Sequence, residues 1–459
     1  MLVAAAATAL LLPGAAGGAP HPGFAGPGFV PGEVIVGAED GGERLLRLPE
    51  GIGVGEAAAA LEANPSVAYA LPNYIARASA VPNDPGQGTV PGDWQRTQWN
   101  FLACGSICTL NLPPASGGSP TPGVSPTPGV YVARGGINAV GAWDVLKQRG
   151  AEFGKGATVA VLDTGVAYRS KRPAFSRSPD FGKRQFLPGL DVVKGSDEPL
   201  DRDGHGTHVA GTIGERAGNG FGLTGLVPKA GLIPVRVLDA NGLGNARDIA
   251  RGIKFAAREG ADVINMSFEF SLAVDSCAQI KSVCSAIKFA SKRGAVVVSA
   301  AGNSNGEPIA FPAGAPGVIG VGRTTKDACL AGESRTGAGL DLVAPGGGLP
   351  ATVDCGGDDP FFSRGAPIQQ LTFSGSSFNR FGYPTFYEGT SMASAHAAGA
   401  AAMVIASKVV GRNPSPATVE CQLKATARTT DLGQLYDPRL FGAGLIDAGA
   451  AVLSRAPGC

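Results

Sequence analysis

The sequence predicts an α/β protein built on a doubly wound, mostly parallel sheet with helices on both faces, preceded by a small α+β unit. Three observations predict it. A short apolar run at 159–162, and mostly apolar runs at 263–266 and 296–300 with one polar residue each, have the pattern of strands buried on both faces. Stretches of helical character at 246–259, 278–292 and 391–408 alternate with such runs, as in a parallel sheet crossed by helices. Upstream, over 32–77, the pattern changes to alternating strands around one short helix. The 459 residues exceed a usual single domain, and one α/β domain with processing segments accounts for them.

From the start of the chain, residues 1–20 read as a signal peptide. An Ala/Leu run at 2–12 is too short to span a bilayer and is followed by small residues at 15–19. No later segment reads as a membrane span, and 453–459 offers no anchor. Residues 30–77 form the α+β unit: strands at 33–36 and 44–48, a helix at 56–63 ended by Asn64-Pro65-Ser66, and a strand at 67–75. Within 102–136, Ser119-Pro120-Thr121-Pro122-Gly123-Val124 recurs at 125–130. Such a repeat cannot pack a core and reads as an extended insertion, with a Pro-rich docking ligand as the alternative. The main domain, 81–459, carries further candidate elements at 205–213, 231–238, 318–321 and 340–344. Its site is expected in the loops at the strand C-termini.

Three stretches carry chemistry. Gly389-Thr390-Ser391-Met392-Ala393-Ser394 delivers a hydroxyl onto the first turn of an Ala-rich helix, where free N–H groups favour developing negative charge. Alone, that Ser would read as an N-cap. The run at 159–162 ends in Asp163-Thr164-Gly165, a carboxylate at a strand tip, and Asp203-Gly204-His205-Gly206-Thr207-His208 sets an imidazole at a helix start. A serine hydroxyl needs a base, and a base needs an orienting carboxylate, so Ser391, His205 and Asp163 supply the parts of a nucleophilic triad. Of the other histidines, His21 lies in the leader, while His208 and His396 fall inside helices and read as packing residues.

These three blocks, in this order, resemble the signature motifs of the subtilase family of secreted serine endopeptidases, and the resemblance spans roughly 81–449. It implies a subtilisin-like fold, peptide-bond hydrolysis through an acyl-enzyme, and synthesis as a self-processed zymogen. Residues 30–77 then resemble the inhibitory propeptide, with Ala70-Leu71-Pro72-Asn73-Tyr74 near its exit and a cut expected between about Arg77 and Val81. By the same resemblance Asn303, after the strand 296–300, supplies an oxyanion donor, although an Asn after Gly is otherwise a turn residue. Gly242, Leu243, Gly244 and Ser267, Phe268, Glu269 match the two cleft strands, and Ala300, Ala301, Gly302 join the latter in lining the pocket for the residue before the scissile bond. Phe311-Pro312 matches a cis-proline position.

Two departures stand out: Glu269-Phe270 replaces glycines beside the cleft, and Ala395 replaces a proline. The carboxylate is expected to bias the cleft toward basic residues, with an outward-facing, solvated Glu as the alternative. No cofactor is implied for catalysis. Structural calcium is implied by the resemblance at Asp84, Asp180 and Asn219, whose hard oxygens suit it, with a weaker site at Asp197, Asp201 and Asp203. The eight cysteines read as disulfides, and nearness in sequence suggests Cys104–Cys108, Cys277–Cys284, Cys329–Cys355 and Cys421–Cys459. Expected partners are polypeptide substrates and the chain's own propeptide, acting on a secreted, extracellular monomer without a membrane anchor. With 38 basic against 37 acidic side chains, no nucleic-acid partner is expected. Rival readings are a catalytically weak subtilase-like binding protein, its cleft crowded by Glu269 and an insertion at 347–387, and a serine esterase. The latter is disfavoured because Ser391 lacks a Gly-x-Ser-x-Gly elbow.

Overall fold

The structure, a computed structural model, describes residues 29–38, 43–74, 84–86, 94–102, 134–352, 355, 365–430 and 432–459. The signal segment, the Pro/Thr/Gly repeat, the expected maturation region and the Cys104–Cys108 pair lie outside them. The chain divides between Ser79 and Ala80 into two compact units.

In the first unit, β1 (Phe29–Ala38) pairs antiparallel with β2 (Glu43–Arg47) on one side and β3 (Val67–Tyr74) on the other. The helix α1 (Val54–Glu62) lays Val54, Ala57, Ala58 and Leu61 against Val34 and Ala70. These buried positions recur at helical spacing, which gives the nine-residue helix one apolar face.

The second unit is built on seven parallel strands in the order β10-β9-β8-β7-β4-β6-β5. They are β4 (Thr158–Asp163), β5 (Leu190–Asp191), β6 (Gly231–Arg236), β7 (Val263–Met266), β8 (Val296–Ala300), β9 (Val318–Thr324) and β10 (Leu342–Pro345). Successive side chains of a strand point to opposite faces. Accordingly Val159, Val161, Val263, Val296 and Val298 enter one core, and Ala160, Leu162, Ile264 and Val297 enter the other. The first core is covered by α2 (Ala139–Gln148), α3 (His205–Gly214), α6 (Thr390–Ser407) and α7 (Ala448–Leu453). The second is covered by α4 (Ala246–Arg258) and α5 (Lys281–Lys292). Apolar runs without alternation thus produced the sheet that the sequence predicts, parallel throughout.

The helix α6 is buried along almost its whole length, which is why its sequence is alanine-rich rather than amphipathic. Asn245 caps α4 by accepting a hydrogen bond from Asp248 N–H at 3.0 Å. The helix α5 starts at Lys281, three residues later than the sequence pattern suggests. The preceding turn is held instead by Gln279 Oε1, which accepts from Asp275 N–H at 2.8 Å and Ser276 N–H at 3.2 Å. Two features had no sequence signal: the two-residue β5 and the small hairpin of β11 (Thr372–Phe373) and β12 (Phe381–Gly382). Disulfides join Cys277 to Cys284, Cys329 to Cys355 and Cys421 to Cys459, as nearness in sequence suggests. Phe311-Pro312 is cis.

Candidate active site

Asp163 is the last residue of β4 and His205 the first of α3, so the strand tip and the helix start meet. His205 Nδ1 lies 2.8 Å from Asp163 Oδ1, and the same oxygen accepts Thr164 N–H at 2.7 Å. Asp163 is fully buried, and its Oδ2 has no hydrogen-bond partner. Gly206 permits the close approach, because a Cβ there would overlap the Gly165 carbonyl oxygen and crowd Asp163.

Beneath the pair lies Asp201, also fully buried. Its Oδ1 accepts from Thr164 Oγ1 at 2.9 Å and from the N–H groups of Asp203 and Gly204, each at 3.0 Å. Its Oδ2 accepts from Thr207 N–H at 2.9 Å and from the Thr207 hydroxyl. One carboxylate therefore ties the end of β4 to the start of α3. Burial disfavours the imidazolium of His205, but the charge and hydrogen bond of Asp163, helped by Asp203 and Asp201, outweigh it and raise the pKa from 6.5 to about 9. His208 and His396 are buried packing residues, which burial pushes down to about 3 and about 4.

Ser391 follows Thr390 in the first turn of α6, where its own N–H is left over from the helical ladder. Its Oγ donates to the Ser267 carbonyl oxygen at 3.1 Å, and no hydrogen bond joins it to His205. Ser267 is in turn fixed by its own hydroxyl, which donates to the Ser391 carbonyl oxygen at 2.8 Å.

Asn303 lies just beyond β8. Its Oδ1 accepts from Thr390 N–H at 2.9 Å and from Thr390 Oγ1 at 3.2 Å, which holds the amide by its oxygen next to the residue that precedes Ser391. The Thr390 hydroxyl also accepts Gly302 N–H at 3.1 Å. Thr390 and Asp201 are the positioning groups that sequence reasoning missed. The Thr in Gly-Thr-Ser and an Asp four residues before the His were the available signals.

The cleft residues sit at the same sheet edge in the order set by the strands. Gly242, Leu243 and Gly244 are exposed beyond β6, Ser267, Phe268 and Glu269 follow β7, and Ala300, Ala301 and Gly302 close β8. The β6 loop is a tight turn in which Asp239 N–H reaches Leu243 O at 2.8 Å. Glu269, although exposed, folds back: its Oε1 accepts Asn303 N–H at 3.2 Å. On the other flank Tyr387 stacks on His208 with ring centroids 4.1 Å apart and lies 6.4 Å from the His205 ring.

Asp84, Asp180 and Asn219 do converge. Asp84 accepts from the N–H groups of Gly218, Asn219 and Gly220 at 2.7, 2.8 and 3.1 Å, and Asn219 Nδ2 donates to Asp180 Oδ1 at 2.7 Å. Asp180 Oδ2 is buried without a partner. Burial, then the charge of Asp84 despite the Asn219 hydrogen bond, brings the Asp180 pKa to about 7. The weaker site expected at Asp197, Asp201 and Asp203 does not form. Asp201 is consumed by its five donors, Asp203 Oδ1 accepts His205 N–H at 3.0 Å, and no cluster of three His, Cys, Asp or Glu suited to a metal occurs among the described residues.

Comparison with known proteins gives a consistent result. A sequence model described as the subtilase family, peptidase S8, matches residues 154–444. Subtilisin Savinase of Lederbergia lenta is 35% identical over 298 residues, covering 65% of this chain and 91% of that protein. An alkaline protease of Alkalihalobacillus alcalophilus is also 35% identical over 298 residues, and the match spans 64% of its length. A solved structure of proteases from Pseudoalteromonas arctica superposes with a TM-score of 0.56 at 32% identity, covering 69% of this chain and 94% of that one.

Proposed function

The chain belongs to the subtilase family and is a serine-type endopeptidase, and from that premise we propose that it cleaves polypeptides through Asp163, His205 and Ser391 with Asn303 as oxyanion donor. The observation that carries the assignment is the shared geometry at one sheet edge. The Asp163–His205 pair opens α3, which packs against α6 with Ser391 in its first turn, and the amide of Asn303 has its oxygen already held by Thr390. Ser391 Oγ leaves the Ser267 carbonyl and gives its proton to neutral His205 as it attacks the scissile carbonyl. Asp163 keeps the imidazole in register and stabilises the imidazolium without taking the proton. Asn303 Nδ2 and the Ser391 N–H receive the oxyanion. His205 returns the proton to the leaving amine, and water then releases the acyl group by the same path.

Substrate lies extended between Gly242–Gly244 and Ser267–Glu269, held chiefly through its main chain, with Ala300, Ala301 and Gly302 lining the pocket beside the scissile bond. The unit at 30–77 acts as an intramolecular inhibitor whose tail occupies the cleft as a product and is cut between about Arg77 and Val81. Secretion follows from the segment 1–20. Three disulfides fit an oxidising compartment, and no helix among the described residues is long and apolar enough to cross a membrane.

Calcium suits Asp84, Asp180 and Asn219. Asp84 and Asp180 face the same Gly218–Gly220 turn, Asn219 turns its Nδ2 to Asp180 while its Oδ1 accepts Phe221 N–H, and a buried carboxylate oxygen of Asp180 lacks a partner that a cation would provide. A bound ion would supply positive charge there, and thermal melting should show stabilisation by calcium that Asp180→Asn weakens. The catalytic reading is tested by intact mass and N-terminal sequencing of the purified chain beside Ser391→Ala. A mature N-terminus near Val81 only with Ser391 intact supports it. A start upstream of Val67, or processing unchanged in Ser391→Ala, sinks the self-cleaved zymogen.

A further inference from the structure

The pocket beside the scissile bond holds a carboxylate in an unusual posture. Glu269 leaves the β7 wall and reaches the β8 wall, where Oε1 accepts Asn303 N–H at 3.2 Å. Its Oε2 lies directly over Gly302, since a Cβ on that residue would overlap it. The carboxylate thus spans the gap between the two walls, one residue from the amide that faces the oxyanion.

No ion pair joins Glu269 to a Lys, Arg or His among the described residues. Arg335 passes its aliphatic Cδ over Gly302. Its guanidinium is aimed elsewhere, at Pro308 O (2.8 Å), Ser304 Oγ (3.1 Å) and Asn305 O (2.6 Å). Glu269 therefore has one weak neutral donor and no direct ion pair. Ala300, Ala301 and Gly302 put only small side chains on that wall, so the space over Gly302 is taken by the Glu269 carboxylate itself and opens when it moves.

Resting on the endopeptidase reading above, we propose that Glu269 is a latch across this pocket which a cationic side chain, Arg or Lys, releases and pairs with, so that the enzyme selects polypeptides cut after basic residues. An acyl group on Ser391 with its oxyanion at Asn303 Nδ2 projects its side chain between the 267–269 and 300–302 walls, toward Glu269. A guanidinium meets the carboxylate as a charge-assisted pair stronger than the Asn303 N–H bond it replaces. A Phe side chain offers no such exchange: it must displace the carboxylate from its donor and leave it beside an apolar ring, which costs affinity. One side chain thereby attracts basic residues and disfavours apolar ones.

The test compares kcat/KM of the purified chain on three peptide anilides differing only in Arg, Phe or Glu before the scissile bond, for the unmutated protein, Glu269→Gln and Glu269→Lys. Fluorophosphonate labelling of Ser391 is scored in each. The expected result is a preference for Arg of tenfold or more in the unmutated protein that falls at least tenfold in Glu269→Gln. Glu269→Lys should prefer a Glu-containing peptide over the Arg peptide. Labelled protein that favours Phe, or whose Arg/Phe ratio changes less than twofold in both variants, overturns the latch alone. Folded protein that is neither labelled at Ser391 nor active on any peptide overturns the endopeptidase reading and the latch with it.

Discussion

The pH dependence of cleavage follows from one buried pair. His205 must be neutral to accept the Ser391 proton, yet Asp163, Asp203 and Asp201 hold its pKa at about 9 rather than 6.5. At about 1.4 kcal/mol per pH unit, that difference is worth about 3 kcal/mol in favour of the imidazolium. Only roughly 1% of the enzyme then carries a competent base at pH 7, rising to about half at pH 9. The account predicts kcat/KM on a peptide anilide climbing about tenfold per unit near neutral pH and levelling above about 9. Stability runs the opposite way. A raised histidine pKa contributes fully below 6.5, and that contribution is lost as pH rises through about 9, so melting temperature should fall where rate is gained. Asp163→Asn removes the charge but keeps the shape, and should bring the apparent pKa down toward 6.5 while lowering kcat by about 10⁴. A profile governed by a group near 6.5 in the unmutated enzyme, or one unmoved by Asp163→Asn, would refute the electrostatic reasoning.

Further expectations concern the groups around the triad. Asn303→Ala should cost about 10² to 10³ in kcat with little change in KM, and Thr390→Val a smaller part of that by freeing the Asn303 amide to turn; steady-state kinetics separates them. Asp201→Ala strips five donors of a buried acceptor and should destabilise the fold by about 3 kcal/mol or more, read by denaturant titration. Paired Ser replacement of Cys421 and Cys459, which close a separation of 38 residues, should cost about 4 kcal/mol on the chain-entropy view, measured by thermal melting.

Much of the main unit was legible because its strands are buried on both faces. Runs such as 159–162 admit no polar residue, and the same fact writes both the sequence pattern and the parallel sheet. The short strand β5 and the hairpin of Thr372 and Phe381 left no such mark, since two residues cannot show a period. Residue types with demanding chemistry, such as Asp163 at a strand tip or His205 on a helix start, could be read individually. Their supports could not, because Asp201 and Thr390 are polar residues in polar loops, ordinary until five donors or one amide oxygen are seen converging on them. Asp201 illustrates the limit: acidic spacing suggested a metal ligand, while burial among N–H and O–H donors makes it a scaffold. Glu269 stood out in the sequence, but only the fold shows it bent back to accept Asn303 N–H while still exposed.

The central claim is that Ser391 is the activated nucleophile, and covalent labelling tests it most directly. Purified protein is treated with a fluorophosphonate probe, beside Ser391→Ala and His205→Ala, and the adduct is located by peptide mass mapping. The account predicts modification at Ser391, none in Ser391→Ala, and strongly slowed reaction in His205→Ala. Folded protein that stays unlabelled, or carries the adduct on another serine with Ser391 unmodified, would contradict it.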